Sequence, residues 1–213
     1  MKVTYKWLKD FVDIEDSAEQ LAEKLTNAGL EVEELIFQNK HLHHVKVGKI
    51  IKIQKHPDAD KLQVCQVSLG NEGNVQIITA ATNIFEGAVV PVSLPGADLV
   101  NGVKIQKSKL RGVESEGMFC SGEELGIDDS YIDGASVNGI LILPDNFVLG
   151  QNIDEALGLD DVVFDVNITP NRPDCMSVIG IAREVCALYG KPFKKPDFKY
   201  ITISDRACDK ITV

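Results

Sequence analysis

The fold of this protein is decided by residues 45–69, which read VKVGKIIKIQKHPDADKLQVCQVSL. Apolar and polar residues alternate in both halves of this stretch, as they do in β-strands that bury one face. The alternation slips where Ile50 and Ile51 stand side by side, and such a slip predicts a β-bulge or a strong bend. The stretch therefore predicts two strands joined by a turn that carries His56, two carboxylates and Lys61.

Further short strands follow this pair along the chain. Residues 75–79, 88–94 and 139–143 are apolar or alternating, and glycine or proline marks the segments between them. The dipeptide Asn101-Gly102 is the strongest hairpin signal in the chain, because both residues tolerate the left-handed turn conformation. Five or more short strands within roughly 100 residues predict a small closed barrel or a sandwich.

The two ends of the chain have a different pattern. An apolar helix face begins at Trp7, and Ser17 opens a second helix with a capping box. Near the C-terminus, residues 162–168 predict a strand, and Asp174 is the expected N-cap of an apolar helix over residues 175–189. The chain is therefore predicted to be α+β, with helix-containing ends around a strand-rich middle.

This arrangement predicts an inserted domain. We expect residues 1–39 and 152–195 to form one small discontinuous α/β domain, with a barrel over residues 40–151 inserted at its loop. Residues 196–213 are polar and close no unit, so we expect them to begin a following, truncated domain.

Charge is unevenly distributed along the chain. The net charge of −10 argues against a protein that simply wraps nucleic acid. However, residues 40–61 hold six lysines against two aspartates, and residues 104–111 hold four basic residues and no acidic one. Residues 112–150 hold eight acidic residues and no basic one. If folding brings the two basic clusters together they make a local positive face; otherwise they are solvated lysines.

Several classes of protein are excluded or disfavoured by composition and motifs. A chain that is 44% hydrophobic and 25% charged is ordinary globular protein, without a stretch long and apolar enough to span a membrane. No phosphate-binding glycine motif, nucleophilic triad or Cys-x-x-Cys pair is present, so neither a catalytic nor a metal site is predicted. An odd number of cysteines without a close pair favours reduced thiols and the cytoplasm. The cysteines are Cys65, Cys120, Cys175, Cys186 and Cys208.

Two stretches, residues 56–62 and residues 104–121, stand out as candidates for function. In the second, a basic half can neutralise phosphates, glycines allow close backbone approach, and Met118 and Phe119 could pack on a base. The plainer interpretation is a capped turn and an exposed basic strand, with Met118 and Phe119 plugging the end of the barrel. The residue chemistry alone leaves both interpretations open.

A family resemblance favours the RNA-binding interpretation of these two stretches. Residues 56–65 (HPDADKLQVC), 91–97 (PVSLPGA) and 109–118 (KLRGVESEGM), together with Asn83, resemble the tRNA-binding OB module found in several aminoacyl-tRNA synthetases and in free-standing tRNA-binding proteins. One departure is residues 79–83, TAATN, where that family more often shows CGAPN.

The flanks resemble one synthetase family in particular. The sequences ITPNRPDC at 168–175 and GIAREV at 180–185 are similar to those of bacterial phenylalanyl-tRNA synthetase beta subunits, and the resemblance covers nearly the whole chain. It disfavours a free-standing tRNA-binding dimer, in which these motifs have no place.

This resemblance implies a five-stranded OB-type barrel and a part in attaching phenylalanine to its tRNA. It implies a parent enzyme of two alpha and two beta subunits that uses ATP and Mg²⁺, with its aminoacylation site in the alpha subunit and its editing site beyond residue 213. It implies that this chain is itself non-catalytic and holds no cofactor. The alternative is an assembly module that makes no RNA contact.

For RNA contact, we expect weakly sequence-dependent binding directed at phosphates, with a few residues lining the groove. The predicted tRNA-binding residues are Lys52, Lys55, Lys61, Asn83, Lys104, Lys107, Lys109, Arg111, Ser115 and Met118.

Overall fold

The computed structural model describes residues 1–127, 139–197 and 199. The chain divides into two compact units, of which the first comprises Met1–Ile36 and the chain from Val162 onward, and the second comprises Phe37–Asp161. Most of residues 196–213, and Cys208 with them, lie outside the described residues, so the predicted following domain stays a prediction. Among the described residues, no helix combines the length and the apolar character that crossing a bilayer demands.

Ten strands and five α-helices are described. They follow one another along the chain as β1 (Lys2–Thr4), α1 (Tyr5–Phe11), α2 (Ala18–Asn27), β2 (Val32–Phe37), β3 (Val45–His56), β4 (Ala59–Ser68), β5 (Asn74–Thr79), β6 (Val89–Ser93), β7 (Ser108–Leu110), β8 (Val113–Ser115), β9 (Met118–Phe119), α3 (Gly122–Leu125), α4 (Ile153–Leu157), β10 (Val162–Val166) and α5 (Val178–Tyr189). The α+β class predicted from the sequence is confirmed.

The first unit packs helices against a small sheet. Its three strands lie in the order β1-β10-β2, with Val3 of β1 opposite Phe164 of β10 in an antiparallel pair. Buried side chains from α1, α2 and α5 share one apolar core with this sheet, among them Leu8, Leu21 and Ile181. Burial of these apolar side chains is the main stabilising contribution in this unit.

Of the helix predictions for the first unit, the cap of α2 is confirmed, whereas the buried face of α1 and the cap of α5 need correction. Ser17 caps α2 with the full capping box. Trp7, which was expected on the buried face of the first helix, is 49% exposed. Asp174 does not cap α5; it pairs with Arg172 in a 3₁₀ turn, and Ser177 accepts the N–H of Gly180 at 3.0 Å instead. The cap moves because an ion pair engages the aspartate before the helix begins.

The second unit is built on a five-stranded antiparallel sheet in the order β5-β4-β3-β6-β9. The predicted bulge is confirmed, because the register between β3 and β4 shifts between Ile50 and Lys52. Buried residues of the sheet, such as Cys65 and Ile77, form an apolar cluster with Phe119. Phe119 is only 2% exposed, so the idea that its ring packs on a base is wrong.

The segment from β8 to β9 contacts both edges of this sheet. The N–H of Glu116 donates to the carbonyl of Gln76 on β5 at 2.8 Å. A few residues later, Met118 and Phe119 of β9 pair with β6 at the opposite edge. One continuous segment therefore covers the hydrogen-bonding groups that an open sheet would leave at its edges.

Two strand predictions in the second unit hold only locally. Around Asn101-Gly102 the chain turns back as predicted, and the N–H of Leu99 donates to the carbonyl of Val103 at 3.0 Å. Neither arm of this turn continues as a regular β-strand. Residues 139–143 were expected to form a strand, but there Leu143 makes only an isolated bridge to Val89.

Candidate nucleic-acid interface

The two stretches singled out in the sequence meet in the folded chain. His56 stands at the end of β3, where its Nε2 donates to the carbonyl of Leu110 in the other stretch at 3.0 Å. Its Nδ1 accepts the N–H of Asp58 at 3.1 Å. Because a carbonyl can only accept and Nδ1 is used as an acceptor, this arrangement needs the neutral imidazole with its proton on Nε2. The side chain is 5% exposed, so it acts as an internal link.

Arg111 adds a second contact at the same point. Leu110 pairs with Val113, which leaves Arg111 and Gly112 as a two-residue turn between β7 and β8. Both turn residues have positive φ, +45° and +86°, as a type I′ hairpin requires. This conformation places the guanidinium Nη1 3.5 Å from the carbonyl of Asp58.

We call the meeting point of the β3–β4 turn and the β7–β8 turn the hairpin tip, comprising residues 55–61 and 109–112. The side chains of Lys55, Lys61 and Arg111 are exposed there. Within the described part of the chain, neither Lys55 nor Lys61 makes an ion pair. Their charges are therefore available to an anionic ligand.

An open cleft of about 480 Å³ adjoins the hairpin tip. The cleft is bordered by two lysines, one aspartate and several apolar or amide side chains. Its lining residues are Ile53, Gln54, Lys55, Asp60, Lys61, Leu62, Gln63, Ala80 and Thr82. Gln63 is held in place because its Nε2 donates to the carbonyl of Ala81 at 3.0 Å.

Lys107 is in a different electrostatic environment. Its ammonium lies 2.9 Å from Glu116 Oε1, and this hydrogen bond raises the pKa of Lys107 and lowers the pKa of Glu116. Glu114 adds a further negative charge near Lys107. We call this pair and its surroundings the flank cleft, which is lined by Gln66, Asn74, Gln76, Lys107, Glu114 and Glu116. The positive charge of Lys107 is largely neutralised there.

Lys52 shares a sheet face with the flank cleft. It stands opposite Gln66 in the β3–β4 ladder, and cross-strand partners project from the same face. Gln66 in turn donates from Nε2 to Gln76 Oε1 at 2.9 Å. Lys52 and Lys107 therefore lie on one face of the sheet, with β4 and β5 between them.

Of the other predicted residues, Lys109 belongs to the hairpin tip, and no contact within the described ranges brings the rest to it. Lys109 lies in β7 opposite Glu114, and Lys104 forms an isolated backbone β-bridge with Asp98 in a separate loop. Met118 is half-buried and pairs with Ser93.

Two predicted residues hold the backbone in place. Ser115 is 2% exposed, and its hydroxyl accepts the N–H of Ile78 and donates to the carbonyl of Gly117. Asn83 makes two hydrogen bonds to Ile140, accepting its N–H at 3.2 Å and donating to its carbonyl at 2.8 Å. Both side chains therefore position neighbouring backbone segments, since their polar groups bond to other parts of the protein.

Sequence reasoning did not include His56 or Gln63 among the site residues. A histidine directly before a proline in a turn offered a signal, because such a side chain can bond the turn amides. The acidic partners of Lys107 were also missed, since Glu114 and Glu116 are brought to it only by the β7–β8 hairpin.

A second cluster of charged residues lies in the first unit. Ligand atoms of Asp174, Cys175 and Glu184 lie within 4.8 Å of one another, a spacing that could suit a metal ion. The Nη2 of Arg172 contacts all three of them, at 2.9, 3.1 and 2.8 Å respectively. Its hydrogen bond lowers the pKa of Asp174 to about 2, and burial raises the pKa of Cys175 to about 11. The Arg172 guanidinium already supplies the positive charge that a metal ion would bring to these groups.

Comparison with known families gives one match over the second unit. A family model described as "Putative tRNA binding domain" matches residues 45–152, which include both strands and the turn of the hairpin tip. This is the region in which the sequence resembles the tRNA-binding module.

Comparison with curated proteins extends the similarity to nearly the whole chain. It is 49% identical over 200 residues to the phenylalanine–tRNA ligase beta subunit of Clostridium tetani, covering 94% of this chain and 25% of that protein. It is 42% identical to the corresponding subunit of Bacillus cereus over 214 residues, covering 100% of this chain and 27% of that protein. The chain thus spans about a quarter of the length of these relatives, and the resemblance stated from the sequence is confirmed.

Among solved structures, the C-terminal domain of Plasmodium vivax p43 is 22% identical, covers 50% of this chain and 56% of that chain, and has a TM-score of 0.35. A likeness this slight supports no conclusion about function.

Proposed function

This chain belongs to the tRNA-binding domain family, and from that membership we propose that its second unit binds tRNA through phosphate contacts centred on the hairpin tip. The observation that carries the proposal is the pair of contacts from His56 and Arg111 that join the two basic stretches. Without them, each stretch would present too few charges for a stable complex with RNA.

The binding mechanism follows from which basic groups are free. Lys55, Lys61 and Arg111 are exposed at the hairpin tip, and Lys52 is exposed on the neighbouring face. We expect these groups to replace condensed counterions on the RNA backbone, which gives affinity with little dependence on base sequence. Lys109 contributes more weakly because Glu114 stands opposite it.

The remaining predicted residues take supporting roles in this proposal. Ser115 and Asn83 fix the segments around the sheet, and Met118 helps to pair β9 with β6. Glu116 reduces the attraction of Lys107 for phosphates, and Lys104 lies in a separate segment that forms a backbone bridge with Asp98.

The fold of the second unit supports the same proposal. We propose that the five-stranded sheet closes as an OB-type barrel, with residues 113–119 running from the edge of β5 to the edge of β6. We also propose that the first unit is the discontinuous domain into which this barrel is inserted. OB folds bind nucleic acid on one face, and the acidic run of residues 112–150 would keep RNA from other orientations.

The role of the whole protein is inferred from its relatives. Those relatives are named as beta subunits of phenylalanine–tRNA ligase. We propose that this chain is a non-catalytic part of such an enzyme, acting in the cytoplasm with alpha subunits in a complex of two alpha and two beta chains. ATP and Mg²⁺ would then serve the ligase reaction elsewhere in that complex. The family match favours RNA binding over a spacer that makes no RNA contact.

The proposal is tested by titrating tRNA onto the 213-residue chain at increasing salt. Four to five phosphate contacts predict that the logarithm of the affinity falls with the logarithm of salt with a slope of about −3 to −4. Replacing Lys55 and Lys61 by glutamine should make that slope shallower by about 1.5. The matched control Lys195→Gln, an exposed lysine of the first unit, should leave the slope unchanged. A wild-type chain that shows no salt-dependent binding at low ionic strength contradicts the proposal.

A further inference from the structure

Phe85 of the second unit is an exposed aromatic side chain without an evident structural reason. Phe85 is 57% exposed, whereas Phe119, the aromatic residue that the basic stretch suggested for base contact, is 2% exposed. Isolated exposed apolar residues are common and need no special explanation. The surroundings of Phe85 are what distinguish it.

The turn that carries Phe85 is fixed to the bulge of β3. Glu86 Oε1 accepts the N–H of Ile53 at 2.9 Å, and the N–H of Gly87 donates to the carbonyl of Ile50 at 2.7 Å. The N–H of Ala88 closes the turn on the carbonyl of Phe85 at 3.1 Å. The backbone of Phe85 is therefore attached to the sheet on both sides of the bulge and does not belong to a free loop.

The bulge places apolar and basic groups around this turn. Ile51 is 48% exposed at the bulge, and Lys52 next to it is exposed as well. Ile53, whose N–H holds Glu86, also lines the cleft that contains Lys55 and Lys61. An exposed aromatic ring and an aliphatic neighbour thus lie where the turn joins β3. Lys52 projects from one face of that strand, and Lys55 projects from the other face, toward the cleft that Lys61 also lines.

We propose that Phe85 is the stacking surface for one unpaired base of the bound RNA, and that Lys52, Lys55 and Lys61 receive the phosphates on either side of that base. The inference rests on the proposed function and adds the class of ligand, an unpaired nucleotide. Aromatic rings stack on bases of any sequence, and lysines beside them hold the backbone. A paired base inside a helix cannot offer its face to the ring, so single-stranded segments are preferred.

A fluorescent side chain at position 85 would report stacking directly. Trp7 is the only tryptophan and lies in the first unit, so the double variant Trp7→Phe/Phe85→Trp carries a single indole at the proposed site. Adding a single-stranded oligoribonucleotide should quench its fluorescence, because a base stacks on the indole. The same oligonucleotide annealed to its complement should quench it much less at equal occupancy.

Affinity measurements complete the test. Phe85→Ala and Phe85→Leu should each weaken binding of the single-stranded oligonucleotide about tenfold while leaving the salt slope unchanged, because stacking is lost and phosphate contacts remain. Phe85→Trp should bind at least as well as wild type. The matched control is Phe37→Ala, which removes another exposed phenylalanine.

The possible failures are distinguishable. Salt-dependent RNA binding that is unaffected by Phe85→Leu, together with an unquenched indole, overturns the stacking role and leaves the proposed function intact. A wild-type chain that binds neither oligonucleotide nor tRNA overturns both. Thermal unfolding of each variant, compared with wild type, shows whether a weaker complex reflects lost stacking or lost folding.

Discussion

The hairpin tip and the flank cleft both carry basic residues from the same two stretches of sequence, but within the described ranges these residues lack ion-pair partners at the hairpin tip, whereas Lys107 is paired with a carboxylate in the flank cleft. At the hairpin tip, Lys55 and Lys61 make no ion pair within the described residues, and Arg111 contacts only a carbonyl. In the flank cleft, Lys107 is held by Glu116 and faces Glu114. A count of lysines along the sequence therefore overstates the charge available to a ligand, since the fold neutralises some of them.

The largest expected effect comes from reversing charge at the hairpin tip. The double variant Lys61→Glu/Arg111→Glu should weaken tRNA binding about a hundredfold at low salt, because two phosphate contacts are replaced by repulsion. Equilibrium binding at several salt concentrations measures this. The single variant Lys107→Glu is the comparison within the flank cleft, and it should cost less than either tip substitution alone. Equal losses of tRNA affinity at the hairpin tip and in the flank cleft would show that the basic residues of the two places are equally available to RNA.

The second expected effect concerns the link that joins the two halves of the hairpin tip. His56→Ala leaves the carbonyl of Leu110 and the N–H of Asp58 without their partner, so we expect the free energy of unfolding to fall by about 1–3 kcal/mol. Binding of tRNA should weaken about tenfold, because the β7–β8 turn that carries Arg111 loses its hydrogen bond to His56 at the end of β3. Denaturant unfolding and tRNA titration measure the two effects. His43→Ala, which removes an exposed histidine, should change neither.

A smaller effect, in the opposite direction, is expected in the flank cleft. Glu116→Gln removes the charge that neutralises Lys107, so tRNA affinity should rise by about two- to threefold at low salt. The gain should disappear at high salt, where exposed charges are screened. Because the pKa of Glu116 is lowered in the folded chain, its ion pair is present above the ordinary carboxyl pKa and is lost as the pH falls through the lowered value. An affinity that falls in this variant would show that Glu116 matters for the β5 contact more than for charge.

The smallest expected effect on RNA binding is at Arg172 of the first unit, which contacts Asp174, Cys175 and Glu184. Arg172→Gln should leave tRNA affinity unchanged but destabilise the first unit, which Trp7 fluorescence reports during denaturation. Asp174 has a pKa of about 2 against an ordinary value of 3.8, so the stabilisation it gives is present above pH 3.8 and is lost as the pH falls toward 2. The difference in unfolding free energy between wild type and variant should shrink over that interval. A difference that does not depend on pH would argue against the ion pair as its cause.

Much of the local structure could be predicted from the sequence because its causes are local. The capping box at Ser17 and the bulge beside Ile50 depend on residues adjacent in the chain, and both are confirmed. The choice between Asp174 and Ser177 as a helix cap could not be read locally, because Glu184, ten positions after Asp174, helps to hold Arg172.

The candidate site was predictable in composition but not in arrangement. The basic residues and the turn motif are visible in the sequence, and the family resemblance rests on them. That Arg111 meets Asp58, that Glu116 neutralises Lys107 and that Phe119 is buried all depend on contacts between distant segments. Periodicity predicts which face of a strand is buried, but it does not predict which hairpins pack against each other.

If the β3–β4 turn and the β7–β8 turn form one RNA-contacting surface, bound tRNA protects both turns at once. Amide hydrogen exchange on the 213-residue chain, with and without tRNA, measures this protection. We expect residues 55–62 and residues 108–113 to slow their exchange together and at the same tRNA concentration. Slowing confined to one of these segments, or absent from both while tRNA is bound, would show that they do not form one surface.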